Sequence, residues 1–174
     1  MKKLTFLLFA LFALLSHHTT LADNNVRALE EDEGYAIIAI YSSGYAEKIQ
    51  LDGEGFGNSH DFGPLVNSQY LKPYPLKAGT YKWDRVIEKF GQGGRIEFDF
   101  DKLDLTFTIE PGKVNYVGLL MFESNGSTFK ARILNRTSII LTIFKQDFPE
   151  FLKQYDVVNG IYPSDPYIPH FLSE

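Results

Sequence analysis

Alternation of hydrophobic and polar residues runs through the middle of the chain. Ile96, Phe98 and Phe100 alternate with charged residues, and a similar pattern returns from Leu103 to Ile109. Successive side chains of a strand point to opposite faces of a sheet, and antiparallel sheets commonly bury one face and expose the other. These segments therefore predict antiparallel strands that pack one face on a core.

A preceding segment shows the same period less cleanly. One parity is mostly aromatic or apolar and comprises Tyr81, Trp83, Arg85 and Ile87. The other parity is mostly polar and comprises Thr80, Lys82, Asp84, Val86 and Glu88. We expect the first set mostly to face the core and the second mostly to face water.

Two segments, Tyr35–Tyr41 and Lys113–Phe122, are apolar at both parities, which is typical of strands buried on both faces. In the second segment, strict alternation assigns to one face Val114, Tyr116, Gly118, Leu120 and Phe122. The hairpin signal Ser124–Ser127 follows it. Phe129–Leu134 and Ser138–Phe144 complete the predicted strands.

Glycine and proline mark the predicted turns and edges. Ser42–Gly44 predicts a turn, after which Tyr45–Leu51 returns antiparallel. The glycine-rich stretch Asp52–Pro64 predicts a loop. Tyr70–Leu76 contains two prolines, which cannot donate to a ladder, and therefore predicts an edge or extended segment.

One good helix is predicted beyond the N-terminal segment, over about residues 148–158. Asp147–Glu150 has the form of a capping box with a proline in the first turn. An apolar stripe at helical spacing comprises Phe148, Phe151, Leu152 and Tyr155. Asn159-Gly160 can end this helix, and the proline-rich tail 163–174 is predicted to be extended and irregular.

The N-terminus predicts a secretory signal peptide. Lys2 and Lys3 precede the apolar run Leu4–Leu15, and a small-residue exit ends near Ala22. The run is shorter than the roughly 20 residues that a membrane-spanning helix needs. We therefore expect an exported protein, periplasmic or secreted, with no stable membrane anchor after signal cleavage.

Composition narrows these expectations. The chain has no cysteine, so neither a lipid anchor on Cys nor a disulfide is available. Its formal net charge is −5, and loss of Lys2 and Lys3 would make it more negative. Such a surface disfavours nucleic acid, which is bound through Lys and Arg.

Together these patterns predict an all-β fold, an antiparallel β-sandwich of about seven to nine strands with one short C-terminal α-helix. The predicted organisation is a signal peptide (1–22), an acidic leader (23–33), a sandwich domain that includes the helix (34–162) and a proline-rich tail (163–174).

Two phrases carry a family likeness. They are Leu76-Lys77-Ala78-Gly79-Thr80-Tyr81-Lys82-Trp83 and Ile109-Glu110-Pro111-Gly112-Lys113-Val114-Asn115-Tyr116-Val117-Gly118. They resemble phrases of uncharacterised exported bacterial proteins with a transthyretin-like, carboxypeptidase-regulatory-like β-sandwich domain. The likeness spans about residues 35–144, implies a sandwich, and supplies no catalytic residues.

Several groups of residues contain side chains that are used in catalysis or nucleotide binding. Gly53–Gly57 contains three glycines, but a dinucleotide fingerprint needs the third one position later, where Asn58 lies. Ser59-His60-Asp61 holds the residue types of a catalytic triad, but triads converge in space rather than along the chain. The acids Asp84, Glu88 and Glu97 offer carboxylate pairs without selecting one.

The sequence contains few residues in patterns that bind metal ions. Asp99, Asp101 and Asp104 could share a calcium ion with loop carbonyls, but the EF-hand glycine and late glutamate are absent. His60 and His170 are too few for a zinc site. We therefore predict no metal and no cofactor.

Tyr70, Tyr74 and Tyr167 lie near prolines and are the candidate contact residues, because loop tyrosines can bind sugars or proteins. The sequence thus favours a non-enzymatic exported protein that binds a secreted protein or envelope component. The alternative is a hydrolase acting on an envelope polymer, with acids from Asp84 to Asp104 or the Ser59–Asp61 segment. A structural accessory subunit is a third hypothesis.

Overall fold

The computed structural model describes residues 26–55, 57–90, 93–124 and 128–173, leaving the predicted signal peptide outside the described residues. These described residues form ten strands and three helices. The strands are β1 (Glu33–Ala46), β2 (Lys48–Gly53), β3 (Ser59–Phe62), β4 (Leu65–Lys77), β5 (Gly79–Phe90), β6 (Gly94–Asp99), β7 (Thr106–Ile109), β8 (Val114–Ser124), β9 (Phe129–Leu134) and β10 (Val157–Asn159). The helices are α1 (Thr137–Asp147), α2 (Pro149–Gln154) and α3 (Tyr167–Ser173).

The strands form two five-stranded sheets, so the predicted all-β sandwich is confirmed. The first sheet has the order β10-β8-β1-β4, with β9 also paired to β8. The second has the order β3-β2-β5-β6, with β7 also paired to β5. Two pairings, β1 with β8 and β10 with β8, are parallel, and the others are antiparallel.

One hydrophobic cluster fills the space between the sheets, and a second lies between the first sheet and the helices. The first includes Trp83, Phe100 and Phe122. The second joins Tyr35 and Tyr116 of the sheet to residues of all three helices. Because an apolar sheet face must be covered, this explains why β1 and β8 are apolar on both faces.

Strand β8 changes faces at Gly118, which corrects the strict alternation expected from the sequence. Val114 and Tyr116 pack in the helix-side cluster, whereas Leu120 and Phe122 pack between the sheets. Gly118 has φ of 79°, and the register with β1 shifts at this point. The inserted residue of a bulge reverses the facing of every residue after it.

A second bulge corrects the assignment of β5. Leu51 pairs with Trp83 and Gln50 with Arg85, which leaves Asp84 as the extra residue. Beyond it Val86 enters the core between the sheets. Glu88, predicted to face water, is consequently buried.

Two connections between strands also differ from those predicted from the sequence. Ser42–Gly44 is not a turn, because β1 continues through it with a register shift and ends at Ala46. The returning segment β2 joins the second sheet instead of pairing with β1. Part of the predicted Asp52–Pro64 loop forms β3, whereas Tyr70–Leu76 lies in the edge strand β4 as expected.

The C-terminal third is more helical than predicted. Ser138–Phe144, predicted as a strand, lies within α1. The buried residues of this helix follow helical spacing and are Thr137, Ile140, Leu141 and Phe144. Asp147 ends α1 and caps nothing, and α2 begins after Phe148 without a side-chain cap. Val157–Asn159 is a strand, and the tail contains α3.

Candidate functional site

A groove lies on the outer face of the first sheet, beside α1. We call it the α1 groove. It encloses about 510 Å³. It is lined by Ala39, Ile40, Tyr41, Gln69, Tyr70, Leu71, Leu119, Met121, Leu134, Arg136, Ile139, Ile140, Ile143 and Asp147. This size and an apolar lining with a few polar groups are usual for small-molecule sites.

The β8 bulge creates the floor of the α1 groove. After Gly118, the side chains of Leu119 and Met121 point away from the sandwich core and toward the helix side of the sheet. Strand β9 adds Leu134, which pairs with Leu119. Without the extra residue, the other alternating set of β8 side chains would face the helices and form this floor.

Helix α1 forms one wall of the groove, and the side chains of this wall are partly exposed to solvent. Leu141 and Phe144 hold the helix on the sheet and are fully buried. On the groove side, Ile139 is 55% exposed and Ile143 is 37% exposed. Large apolar side chains that border a concave apolar surface mark binding sites more often than isolated ones do.

Arg136 lies in the groove lining at the start of α1, and its backbone is fixed. The Tyr116 hydroxyl accepts a hydrogen bond of 2.7 Å from the Arg136 backbone N–H. The same hydroxyl donates to the Leu134 carbonyl at 3.4 Å. Burial raises the pKa of Tyr116, so this hydroxyl remains protonated and keeps both bonds.

A second guanidinium lies near the groove floor. Arg132 donates to the Met121 sulfur at 3.4 Å. Among the salt bridges of the described chain, Arg27, Arg85 and Arg95 each contact a carboxylate. Arg132 and Arg136, both described, form no such pair; Arg136 lines the groove, whereas Arg132 contacts it only through Met121 and lines a separate pocket with Asp104.

Next to the groove, Asp165 holds the C-terminal segment against the start of α1. Its carboxylate accepts hydrogen bonds from the Tyr167 backbone at 3.0 Å, from Asn159 at 3.1 Å and from Asn135 at 3.2 Å. The Tyr167 N–H contributes most, and these bonds lower the pKa of Asp165. The cluster therefore braces the wall of the groove.

The outer face of the second sheet is very different. Lys48 pairs with Asp61 at 2.7 Å, and Arg95 pairs with Glu97 at 2.6 Å. A basin of about 380 Å³ on this face is lined largely by such paired charges. Exposed ion pairs of this kind contribute little energy, and this basin has no comparable apolar surface.

The structure separates the triad residue types in β3. Ser59 donates to Asp52, whereas His60 Nδ1 lies 3.4 Å from the Tyr74 hydroxyl. Adjacent strand residues point to opposite faces, so the imidazole does not reach the Ser59 hydroxyl. Burial lowers the pKa of His60, against the opposing effect of nearby Asp61 and Asp52.

Two of the candidate acids, Asp84 and Glu97, contact the same guanidinium, that of Arg85, whereas Asp101 pairs with Lys82. Asp99 accepts from the Asp101 backbone, and Asp104 from the Thr106 hydroxyl. Within the described ranges, no group of three or more His, Cys, Asp or Glu side chains is placed to hold a metal ion.

The three candidate tyrosines do not form one patch. Tyr70 and Tyr74 lie in β4, not outside regular strands, and both rings contact Phe62. Tyr70 also lines the α1 groove. Tyr167 begins α3 and stacks on Phe171, with ring centroids 6.0 Å apart.

Sequence reasoning missed Leu119, Ile139, Ile143 and Arg136 as site residues. The signal that could have revealed the wall of the groove is the helical spacing of Thr137, Ile140, Leu141 and Phe144. That spacing leaves Ile139 and Ile143 on a different side of the same helix. The segment's β-branched residues instead favoured a strand.

Comparison with family models, curated proteins and solved structures gives no match for this chain. The fold itself therefore defines the class: an all-β sandwich with helices on one outer face. In the part of the chain that the structure describes, no helix combines the length and apolar character needed to cross a membrane.

Proposed function

We propose that this chain is an exported, non-enzymatic binding protein and that its ligand lies in the α1 groove. The observation that carries the proposal is the groove itself, about 510 Å³ of largely apolar surface between α1 and the first sheet. An apolar concavity with few polar groups is the usual form of a ligand site. The transthyretin-like resemblance is compatible with this role.

The geometry supports binding more than hydrolysis. Among the described residues that line the α1 groove, the only carboxylate is that of Asp147, and none is a histidine or a serine. The Ser59 hydroxyl and His60 ring have different partners. General acid–base or nucleophilic catalysis needs such groups within hydrogen-bond reach of one another.

Export supports a carrier or envelope-binding role. The N-terminal pattern predicts passage out of the cytoplasm, and a periplasmic or secreted location would place the groove where it meets envelope components. A protein with a rigid sandwich and a lateral groove can hold such a component without changing it chemically.

The test uses Nile red, a neutral dye whose emission rises in an apolar site. We expect saturable binding to the purified protein, weakened at least about tenfold by Ile139→Asp, because a carboxylate in an apolar site is costly to desolvate. Val66→Asp is the matched control, because Val66 is 58% exposed and Ile139 is 55% exposed, but Val66 does not line the groove.

Folding of both variants is checked by urea unfolding. Equal loss of dye binding in the two folded variants, or no saturable binding by the parent protein, would contradict the proposed function.

A further inference from the structure

We propose that the ligand of the α1 groove is a free, single-chain anionic amphiphile, such as a long-chain carboxylate, with its charged end at Arg136. This inference rests on the proposed function and adds the chemical class of the ligand. It is carried by the charges at the groove, considered together with its apolar floor.

The first step concerns unpaired cations. Lys48, Lys82 and Lys89 on the second sheet all contact carboxylates. Within the described residues, neither Arg136, in the groove lining, nor Arg132, on the floor residue Met121, contacts a carboxylate, and the same is true of Lys72, Lys102, Lys130 and Lys145 outside that lining. What distinguishes Arg136 is its place: in a chain of net charge −5, an unpaired guanidinium within an apolar lining favours an anionic ligand. Arginine also suits carboxylate, because its planar fork can donate two parallel hydrogen bonds.

The second step concerns orientation. Arg136 lies at the N-terminal end of α1, and Asp147 lies at its C-terminal end. Both line the groove. The positive end of the helix dipole is at Arg136, whereas Asp147 repels a negative group. An anionic head is therefore favoured at the Arg136 end, with the chain lying along α1.

The third step concerns the shape of the apolar part. Leu119, Met121 and Leu134 form the floor, and Ile139 and Ile143 form the wall. These side chains are aliphatic or thioether, and the surface they form runs beside an eleven-residue helix. Such a surface fits a flexible hydrocarbon chain, whose burial contributes roughly 0.8 kcal/mol per methylene.

The fourth step concerns how Arg136 is held. The Tyr116 hydroxyl fixes its backbone N–H, and Asn135 accepts from the Thr137 N–H at 3.2 Å in the same turn. Tyr116 and Asn135 are therefore positioning residues for the cation. A cation whose backbone is fixed loses less conformational freedom on binding.

The experiment measures displacement of Nile red from the purified full chain by two amphiphiles of equal chain length, each below its micelle concentration. Dodecanoate carries a negative head, and dodecyltrimethylammonium carries a positive one. We expect dodecanoate to bind about tenfold more tightly at low salt, and we expect this preference to shrink as salt is raised.

Arg136→Gln should reduce the preference for dodecanoate over dodecyltrimethylammonium to within about threefold, with each displacement referred to the variant's own affinity for Nile red. The matched control is Lys102→Gln, which makes the same charge change at an exposed cation outside the groove lining. It should leave the preference unchanged.

The outcomes separate this inference from the proposed function. If Nile red binds in the groove but both amphiphiles compete equally, the anionic class is wrong and the binding role survives. If neither dye nor amphiphile binds, both proposals fail. If the protein sediments with anionic lipid vesicles but free dodecanoate does not compete, the ligand is a membrane surface and the inference is overturned.

Discussion

Tyr116 and Leu120 lie four positions apart on one strand, yet their side chains point to opposite faces of the first sheet. Tyr116 packs among the helices, and Leu120 packs between the sheets. An even separation in a regular strand would place them on the same face. The difference results from the bulge at Gly118, and the same bulge places Leu119 and Met121 in the groove floor.

Replacement of Gly118 should be costly for two separate reasons. Its φ of 79° disfavours any side chain, and an added Cβ would overlap Ile133 Cγ2 and Ile161 Cδ1. We expect Gly118→Ala to lower the free energy of unfolding by about 2–4 kcal/mol, measured by urea denaturation.

Gly112→Ala is its control. Gly112 has φ of 68°, with open space where a Cβ would lie, so only the backbone cost of about 1–2 kcal/mol should remain. Equal costs at the two glycines would mean that the close packing at Gly118 contributes nothing.

Asn115 should be indispensable to the start of the first sheet. It is fully buried, and its side-chain amide donates to the carbonyls of Tyr35, Glu110 and Lys113 while its oxygen accepts from the Glu110 N–H. We expect Asn115→Leu to destabilise the protein by about 2–4 kcal/mol, because buried polar partners lose their bonds. Thermal and urea unfolding measure this, and a loss below about 0.5 kcal/mol would refute the role of this residue.

Neighbouring positions in α1 should both be sensitive to truncation. Ile140 and Leu141 are adjacent and both buried, as a helix permits and a one-sided strand does not. Ile140→Ala and Leu141→Ala should each cost about 2–4 kcal/mol, whereas exposed Thr142→Ala should cost under about 1 kcal/mol. An alternating pattern, with only one of the two buried sites sensitive, would favour the strand predicted from sequence.

Acid should destabilise the protein through His60 before it affects carboxylates. Burial lowers the pKa of His60 below its ordinary value of about 6.5 in the folded state. Above that pH the imidazole is neutral in both states. As pH falls below about 6.5, the unfolded chain takes up the proton first, so the free energy of unfolding decreases.

His60→Gln should flatten this dependence as the pH falls below about 6.5, which urea unfolding at a series of pH values can measure. An unchanged slope in the variant would show that His60 does not contribute to it.

The sandwich could be predicted because alternation survives wherever strands are regular. Phe98, Phe100 and Phe107 face the core between the sheets as their parity indicates. The alternation fails at Gly118 and Asp84. At each bulge, one inserted residue reverses the sheet face to which all later side chains of the strand point. Nothing in the sequence marks Asp84 as extra, since the bulge is defined by the partner strand.

The groove could not be predicted as a site. Its lining comes from distant segments, around Ala39–Tyr41, Gln69–Leu71 and Leu119–Met121, together with α1. Helix α1 was not predicted from the sequence, because its N-cap residue Arg136 makes no side-chain cap hydrogen bond. The sequence therefore lacked the usual start signal, and its isoleucines favoured a strand.

The most direct test of the binding account is a methyl-resolved ¹H–¹³C NMR titration of the protein with dodecanoate below its micelle concentration. The account predicts saturable shifts of the methyl groups of Leu119, Met121, Ile139 and Ile143, with Ile87 on the outer face of the second sheet unmoved. Saturable shifts confined to Ile87 and its neighbours, or no shift at the groove methyls at saturating ligand, would contradict it.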